Sequence, residues 1–198
     1  MPKLLLATSN SGKIREYRCL LNGLGYQITT LTEEGIAKVV AESGNNYEQN
    51  ARLKAVTYAK LSQLITLADD SGLEVDALNG EPGVKSARFA GEAATDAERV
   101  SFLLAKLKGV PWEQRTARFK CVIAIATPKG QSEVCYGECQ GIIALEAKGE
   151  NGFGYDPIFF LPEIGKTMAE LPLEMKNQIS HRARASRKAR QMLQQLHI

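Results

Sequence analysis

Apolar positions along this chain fall into short runs and helical stripes that alternate through its first half. Leu4, Leu5, Leu6 and Ala7 read as a short buried strand. The polar stretch Thr8-Ser9-Asn10-Ser11-Gly12 turns the chain. From Lys13 the spacing of Ile14, Tyr17, Leu20 and Leu21 predicts a helix. A second short strand is predicted over residues 27–30. Asn46 opens a further helix, with Gln49 three residues on as in a capping box. Tyr47, Ala51, Ala55, Tyr58 and Ala59 form its apolar stripe. "LITLADDSG" is a buried strand that runs into two acids, Asp69 and Asp70, at its end. Residues 79–91 are glycine-rich and read as a long ordered loop. Thr95 and Glu98 form another capping box, ahead of Val100, Leu103, Leu104 and Leu107, and Gly109 and Pro111 stop that helix. Strands follow over residues 119–127 and 130–143, with a turn at Pro128-Lys129-Gly130. "FGYDPIFFLP" mixes aromatics with turn residues. A last helix from about Ser180 carries Ala183, Ser186, Ala189, Leu193 and Leu196 on one face. Alternating elements early and a hairpin late predict an α/β fold with a mixed sheet.

Composition narrows the class of protein. A chain of 198 residues, 44% hydrophobic, suits one soluble domain or two lobes sharing one core. A net charge of +3 is too small to make nucleic acid the main partner. The longest apolar run, "CVIAIA", is far short of a membrane span, and the N-terminus does not read as a signal peptide. Cys19, Cys121, Cys135 and Cys139 are scattered, and the last two are spaced wrongly for a C-x-x-C site. They are expected to be reduced thiols in a cytoplasmic protein.

Several stretches carry candidate chemistry. Strand, turn and helix over residues 4–16 present free backbone N–H groups at a helix N-terminus, where an anion binds well. The stretch is not a P-loop, because Ala7 and Ile14 stand where that motif needs Gly and Ser or Thr. It reads equally as a phosphate site or as a capped helix with an exposed lysine. Asp69 and Asp70 are adjacent carboxylates that would resist each other's ionisation unless a cation intervened. A hard cation such as Mg²⁺ takes such oxygens, with Glu42 as a candidate third ligand. The same pair also reads as a solvated acidic turn. Asn50 and Lys54 share a helix face, and Lys54 is placed either to reach a phosphate or to stand in solvent. In "NGFGYDP", Phe153 and Tyr155 are a platform on which a base could stack, or a turn between core strands. Gly152 and Gly154 there allow close backbone approach, and Asp156 could accept from a base or sugar. The tail "KNQISHRARASRKAR" holds Lys176, Arg182, Arg184, Arg187, Lys188 and Arg190. Six cations could suggest a nucleic-acid-binding helix, but Ser180, His181 and Arg182 stand at the helix start, where side chains can point into a cleft, and the remaining arginines read as a solvated helix face. Within this tail His181 is the candidate site histidine, since His197 lies at the end of the chain.

"TSNSGK", "ADDSGL", "PGVKSAR", "GFGYDPIF" and "SHR", in this order, closely resemble the inosine triphosphate pyrophosphatase family. The resemblance runs from Lys3 to the last helix. It implies one domain over residues 1–198: an elongated mixed sheet flanked by helices, in two lobes with a central cleft, as a homodimer. It also implies Mg²⁺-dependent cleavage of a nucleoside triphosphate between the α and β phosphates. ITP, dITP and XTP are the implied substrates, and cleansing of the nucleotide pool the implied role. Carried over residue by residue, Thr8, Ser9, Asn10, Ser11, Gly12 and Lys13 match the triphosphate loop, and Lys54 a second phosphate cation. Asp70 matches the proton acceptor, and Glu42, Asp69 and Asp70 the metal shell. Ser71 matches a substrate contact. Phe153, Gly154, Tyr155 and Asp156 match the base-binding segment. Lys176, His181 and Arg182 match the remaining base and substrate contacts. One position departs: Gln49 stands where the family commonly has Glu, which bears on the outer metal shell. The rival readings are a nucleotide-binding regulator without catalysis, which would lack the acids, and an RNA-binding module using the basic helix.

Overall fold

The computed structural model describes residues 1–196, so His197 lies outside the described residues. The first leucine run forms β1 (Lys3–Leu6), with all three leucines fully buried. Asn10 caps the helix that follows, α1 (Ser11–Leu20). Then come β2 (Gln27–Thr30), α2 (Tyr47–Ser62) and β3 (Ile65–Val75). The stripe expected on α2 is its buried face: Tyr47, Ala51, Ala55, Tyr58 and Ala59 are all buried. The box at its start is shifted by one residue, since Gln49 reaches the N–H of Asn45 rather than that of Asn46. The capping box of Thr95 and Glu98 is complete and opens α3 (Asp96–Lys106). β4 (Thr116–Ala126) and β5 (Ser132–Ile143) are neighbours in the sheet, joined by a turn over residues 127–131. Two short strands, β6 (Phe159–Leu161) and β7 (Lys166–Thr167), precede α4 (Leu173–Ile179) and α5 (His181–Gln195).

Three expectations change. Asp69 and Asp70 do not end their strand; they lie inside β3, which continues through Ser71 to Val75. Residues 79–91 are not all loop: Gly83–Arg88 forms a 3-10 helix, held by the Ser86 hydroxyl on the Gly83 carbonyl at 2.6 Å. Leu196 does not join the buried stripe of the last helix, which ends at Gln195, and stands exposed.

The sheet has seven strands in the order β2-β1-β3-β4-β5-β6-β7. β1 pairs in parallel with β2 and β3, while β6 pairs antiparallel with β5 and β7. The fold is therefore mixed α/β, as the pattern predicts. Residues cluster into two compact units. The first comprises Met1–Asp70, Cys121–Gly137 and the chain from Arg182 onward, and its core includes Leu4, Tyr17, Leu67, Ile123 and Leu193. The second comprises Ser71–Lys120 and Glu138–His181, with a core that includes Leu73, Leu103, Tyr155, Ile158 and Phe159. No helix among the described residues is long and apolar enough to cross a membrane.

Candidate active site

The first unit gathers the lysines and acids. β1 delivers the chain into the loop at Thr8, whose hydroxyl accepts from the Asn10 N–H at 3.2 Å. Asn10 Oδ1 in turn accepts from the Lys13 N–H at 3.0 Å, which starts α1. One side chain satisfies only one of the free N–H groups of a helix start. The first turn of α1 holds no acid, so nothing in it neutralises the positive end of the helix. The Lys13 ammonium stands over β3, 2.8 Å from Asp69 Oδ2.

Asp69 and Asp70 are both buried, yet they do not share an environment. Successive side chains of a strand point to opposite faces. Asp69 meets Lys13, and its Oδ2 also lies 3.6 Å from Arg182. Burial works to raise its pKa, but Lys13, Arg182 and Lys54 outweigh that and hold the carboxyl well below the usual range. Its Oδ1 is buried without a hydrogen-bond partner among the described residues. Asp70 accepts from Asn50 Nδ2 at 2.9 Å. Its pKa is raised, mainly by burial and further by Glu42, against the opposing pull of Lys54 and Asn50. The mutual resistance expected of adjacent acids is thus not what sets Asp70 apart.

Lys54 lies between these groups. Its ammonium donates to Glu42 Oε1 at 2.6 Å and to the Asp69 carbonyl at 2.6 Å. Burial would strip its proton, but Asp69, Glu42 and Asp70 together raise its pKa and keep it charged. Asn50, one turn before Lys54 on the same buried face of α2, is oriented from both ends. Its Oδ1 accepts from the Gly44 N–H at 2.8 Å, leaving Nδ2 for Asp70. Gly44 has to be glycine, since a Cβ there would lie 2.7 Å from Asn50 Oδ1. Arg182 is fully buried in this unit, donating to Glu16 Oε2 at 2.7 Å. Tyr17 and Cys121 line the same buried region. Burial, with Asp69 beside it, pushes the Cys121 thiol up to about 12.

The donor set suits a hard cation. It is made of carboxylate oxygens: Asp70, destabilised in its charged form by burial, and Glu42, which acts on it. Among the described residues no three His, Cys, Asp or Glu side chains converge as a complete cage. Mg²⁺ is commonly held by one or two carboxylates together with substrate phosphates, so the set fits that ion.

The second unit carries the aromatic segment. Asp156 is buried; its Oδ2 accepts from the Phe153 N–H at 2.9 Å and pairs with the buried ammonium of Lys176. That ammonium also lies 4.8 Å from the centre of the Phe153 ring. Gly152 has φ +77°, and a Cβ there would lie 2.0 Å from Asp156 Oδ2, so the turn excludes any side chain. Tyr155 is not an exposed platform. It is buried, donates its hydroxyl to the Ser86 carbonyl at 2.9 Å, and burial pushes its phenol up to about 12. Phe153, half-buried, is the aromatic left with an accessible surface. His181 starts α5 and stacks on Phe119, centroids 4.7 Å apart. Ser71 follows Asp70 in β3 and is half-buried.

The structure thus brings Lys13, Glu42, Lys54, Asp69 and Asp70 together in one unit and Phe153, Asp156 and Lys176 together in the other. It places Arg182 with Asp69. Asn50, Asp96 and Ser86 were not singled out as site residues from sequence. Asn50 left one signal, its i, i+4 spacing to Lys54. Ser86 lies within the stretch "PGVKSAR" but was given no role there; Asp96 acts on a residue far along the chain and left no signal.

The model of the Ham1 family matches residues 4–192. A dITP/XTP pyrophosphatase of Desulforamulus reducens is 52% identical over 196 residues, covering 99% of this chain and 98% of that protein. The dITP/XTP pyrophosphatase of Bacillus subtilis is 44% identical over 194 residues, covering 98% of both. Among solved structures, a HAM1 protein from Coxiella burnetii matches with a TM-score of 0.88 at 42% identity, over 98% of this chain and all of that one. The Ham1 protein of Staphylococcus aureus matches with a TM-score of 0.86 at 42% identity, over 98% of this chain and 99% of that one.

Proposed function

The chain belongs to the Ham1 family, and from that premise we propose that it hydrolyses deaminated purine nucleoside triphosphates, dITP, ITP and XTP, to the monophosphate and pyrophosphate. One observation carries the reading furthest. Lys13 and Lys54, both half-buried or more, converge on the Asp69–Asp70 segment of β3 beside the start of α1. Two fixed cations and a helix start form a cradle for a polyanion. Asp70 supplies a base beside it.

In the mechanism we infer, the triphosphate lies against Thr8, Ser9, Asn10, Ser11, Gly12 and Lys13, with Lys54 on a second oxygen cluster. Asn50 holds one oxygen of Asp70, which leaves the other to accept from a water. Asp70 takes a proton from that water as its oxygen bonds to the α-phosphorus. The bond from the α-phosphorus to the bridging oxygen breaks, and pyrophosphate leaves with the electron pair. A carboxylate whose pKa is raised by burial is a better base than one in water. Lys13 and Lys54 offset charge that builds on the phosphate oxygens. Asp70, with Glu42 close enough to raise its pKa, would hold Mg²⁺, which supplies further charge neutralisation when bound; Asp69, on the other face of β3 and paired with Lys13 and Arg182, is read as standing outside that pair. Gln49 is exposed, and its side-chain oxygen caps the Asn45 N–H, so we read it as part of the helix start rather than of the metal shell.

In the second unit, Phe153 offers a stacking face, and Lys176 and His181 offer donors. A purine with a 6-oxo group accepts from such donors, whereas the 6-amino group of adenine sets donor against donor. Unmet buried donors are costly, which gives rejection of ATP. Arg182, committed to Glu16 and Asp69, is read as orienting Asp69. We read the protein as a cytoplasmic homodimer whose two units are the lobes of one domain; its four cysteines are free thiols.

The test is to incubate the protein with Mg²⁺ and, separately, XTP, dITP, ITP, GTP and ATP, and to measure pyrophosphate and free phosphate. Pyrophosphate with monophosphate from the first three, lost on adding a chelator, supports the reading. Free phosphate, or turnover of ATP at the rate of XTP, refutes it.

A further inference from the structure

The aromatic segment is held in place by groups outside it. Gly154 adopts a left-handed conformation, φ +64°, and nothing lies within 4 Å of where its Cβ would be. The side where a Cβ would stand is open, so no contact on that side holds this residue. Its N–H donates to Asp96 Oδ2 at 2.6 Å, across a sequence distance of 58 residues. The other oxygen of Asp96 is ion-paired with Arg99. Arg99 Nη1 also donates to the Ala94 carbonyl at 2.5 Å and to the Ala87 carbonyl at 3.0 Å. Ala87 belongs to the 3-10 helix Gly83–Arg88, whose Ser86 carbonyl receives the Tyr155 hydroxyl. One Arg–Asp pair thus joins three pieces of the second unit: the 3-10 helix, the start of α3, and the segment around Gly154. α3 is a firm base for it, with a complete capping box and Leu103 fully buried.

We propose that Asp96, oriented by Arg99, is a positioning residue for base recognition: by holding the Gly154 peptide it sets the Phe153 ring relative to Lys176 without touching the substrate. This rests on the reading of Phe153, Asp156 and Lys176 as the base end of the site. The reason is conformational. Glycine has the largest backbone freedom of any residue, and a loop that must be ordered on each binding event binds more weakly. Asp96 removes that freedom beforehand. Lys13, Lys54 and Asp70, read as the phosphate end, belong to the first unit and make no contact with Asp96 among the described residues, so the effect is expected on base affinity rather than on the chemical step.

The experiment is steady-state kinetics with XTP, alongside melting temperatures, for Asp96→Ala, Asp96→Asn, Arg99→Met and Phe153→Ala. Asp96→Ala is expected to raise KM about tenfold with kcat within about twofold, since it frees one or two residues to be ordered again on binding. Asp96→Asn keeps an oxygen for the Gly154 N–H but loses the charge that Arg99 holds, so its KM rises less. A purely structural role would lower the melting temperature and the active fraction and leave KM in place, and that result overturns the proposal. A raised KM in Phe153→Ala with an unchanged KM in Asp96→Ala also overturns it while sparing the base assignment. Unchanged KM in both variants refutes the base assignment and the proposal with it. Should Asp96→Ala not fold, Asp96→Asn and Arg99→Met decide on the same criterion: a raised KM supports, an unchanged KM overturns.

Discussion

Asn50 donates its amide to Asp70 at 2.9 Å while the Gly44 N–H holds the other end of that amide at 2.8 Å. The carboxylate proposed to act as base is thus aimed by a helix residue that is itself aimed by a loop. Neither oxygen of Asp70 need search for its orientation when a substrate arrives.

Removing this aim should cost rate. A hydrogen bond to a charged group contributes about 1.5–3 kcal/mol, so Asn50→Ala is expected to lower kcat about 10- to 100-fold with a smaller change in KM. Steady-state kinetics with XTP checks it. A change in KM alone would mean that Asn50 serves binding.

Asp70→Asn is expected to abolish turnover without unfolding the protein. Because burial raises the folded-state pKa of Asp70, ionising it opposes folding: its favourable contribution is full below the unfolded value near 3.8 and is lost as pH rises through the folded one. At neutral pH the Asn variant should therefore melt no lower than the parent. Thermal melts of the two proteins at pH 7 and pH 4 read this out. The acid limb of the kcat profile should likewise lie above the ordinary Asp value, and Lys54→Met should move it further up, since Lys54 pulls the other way.

Glu16 and Arg182 form a buried pair in the first unit, at 2.7 Å. Losing one partner removes the nearest counter-charge from a buried group, and the Asp69 carboxylate 3.6 Å from Arg182 only partly replaces Glu16. Arg182→Met or Glu16→Leu should each destabilise by about 3–5 kcal/mol, and the double variant by less than the sum. Denaturant unfolding of the set measures it.

Gly152→Ala tests the base end. The added methyl would occupy the space of Asp156 Oδ2 at a left-handed φ of +77°, so the Asp156–Lys176 pair must give way. KM for XTP should rise by at least tenfold if that pair is worth about 1.4 kcal/mol or more to the base site. An unchanged KM would remove Asp156 from base recognition.

Of the four thiols only Cys19 is exposed. Cys121 is pushed up to about 12 and Cys135 to about 11, mainly by burial, so neither forms thiolate at pH 8. A thiol reagent should titrate one cysteine in the native protein and all four after denaturation. A second fast thiol would show that the core opens locally.

Much of this protein is local and was readable in the chain. The stripe on α2, the Thr95–Glu98 box and the leucines of β1 depend on periodicity and on neighbours within one turn, and the physics that sets them acts over a few residues. The types of group at the site, two acids, two lysines and an aromatic turn, were visible for the same reason. Tertiary structure decided what each group does. Asp69 and Asp70 are adjacent in sequence, but β3 continues through them and the alternation of a strand gives them different partners: Lys13 and Arg182 for one, Asn50 for the other. Tyr155 and Phe153 are two residues apart, yet packing against Ser86 buries the first and leaves the second at the surface. The contact from Asp96 to Gly154 joins positions 58 residues apart, and no local pattern encodes it. Spacing along a chain sets which side chains are available; only the packing of distant elements sets which charges are close, which are dry, and therefore which can act.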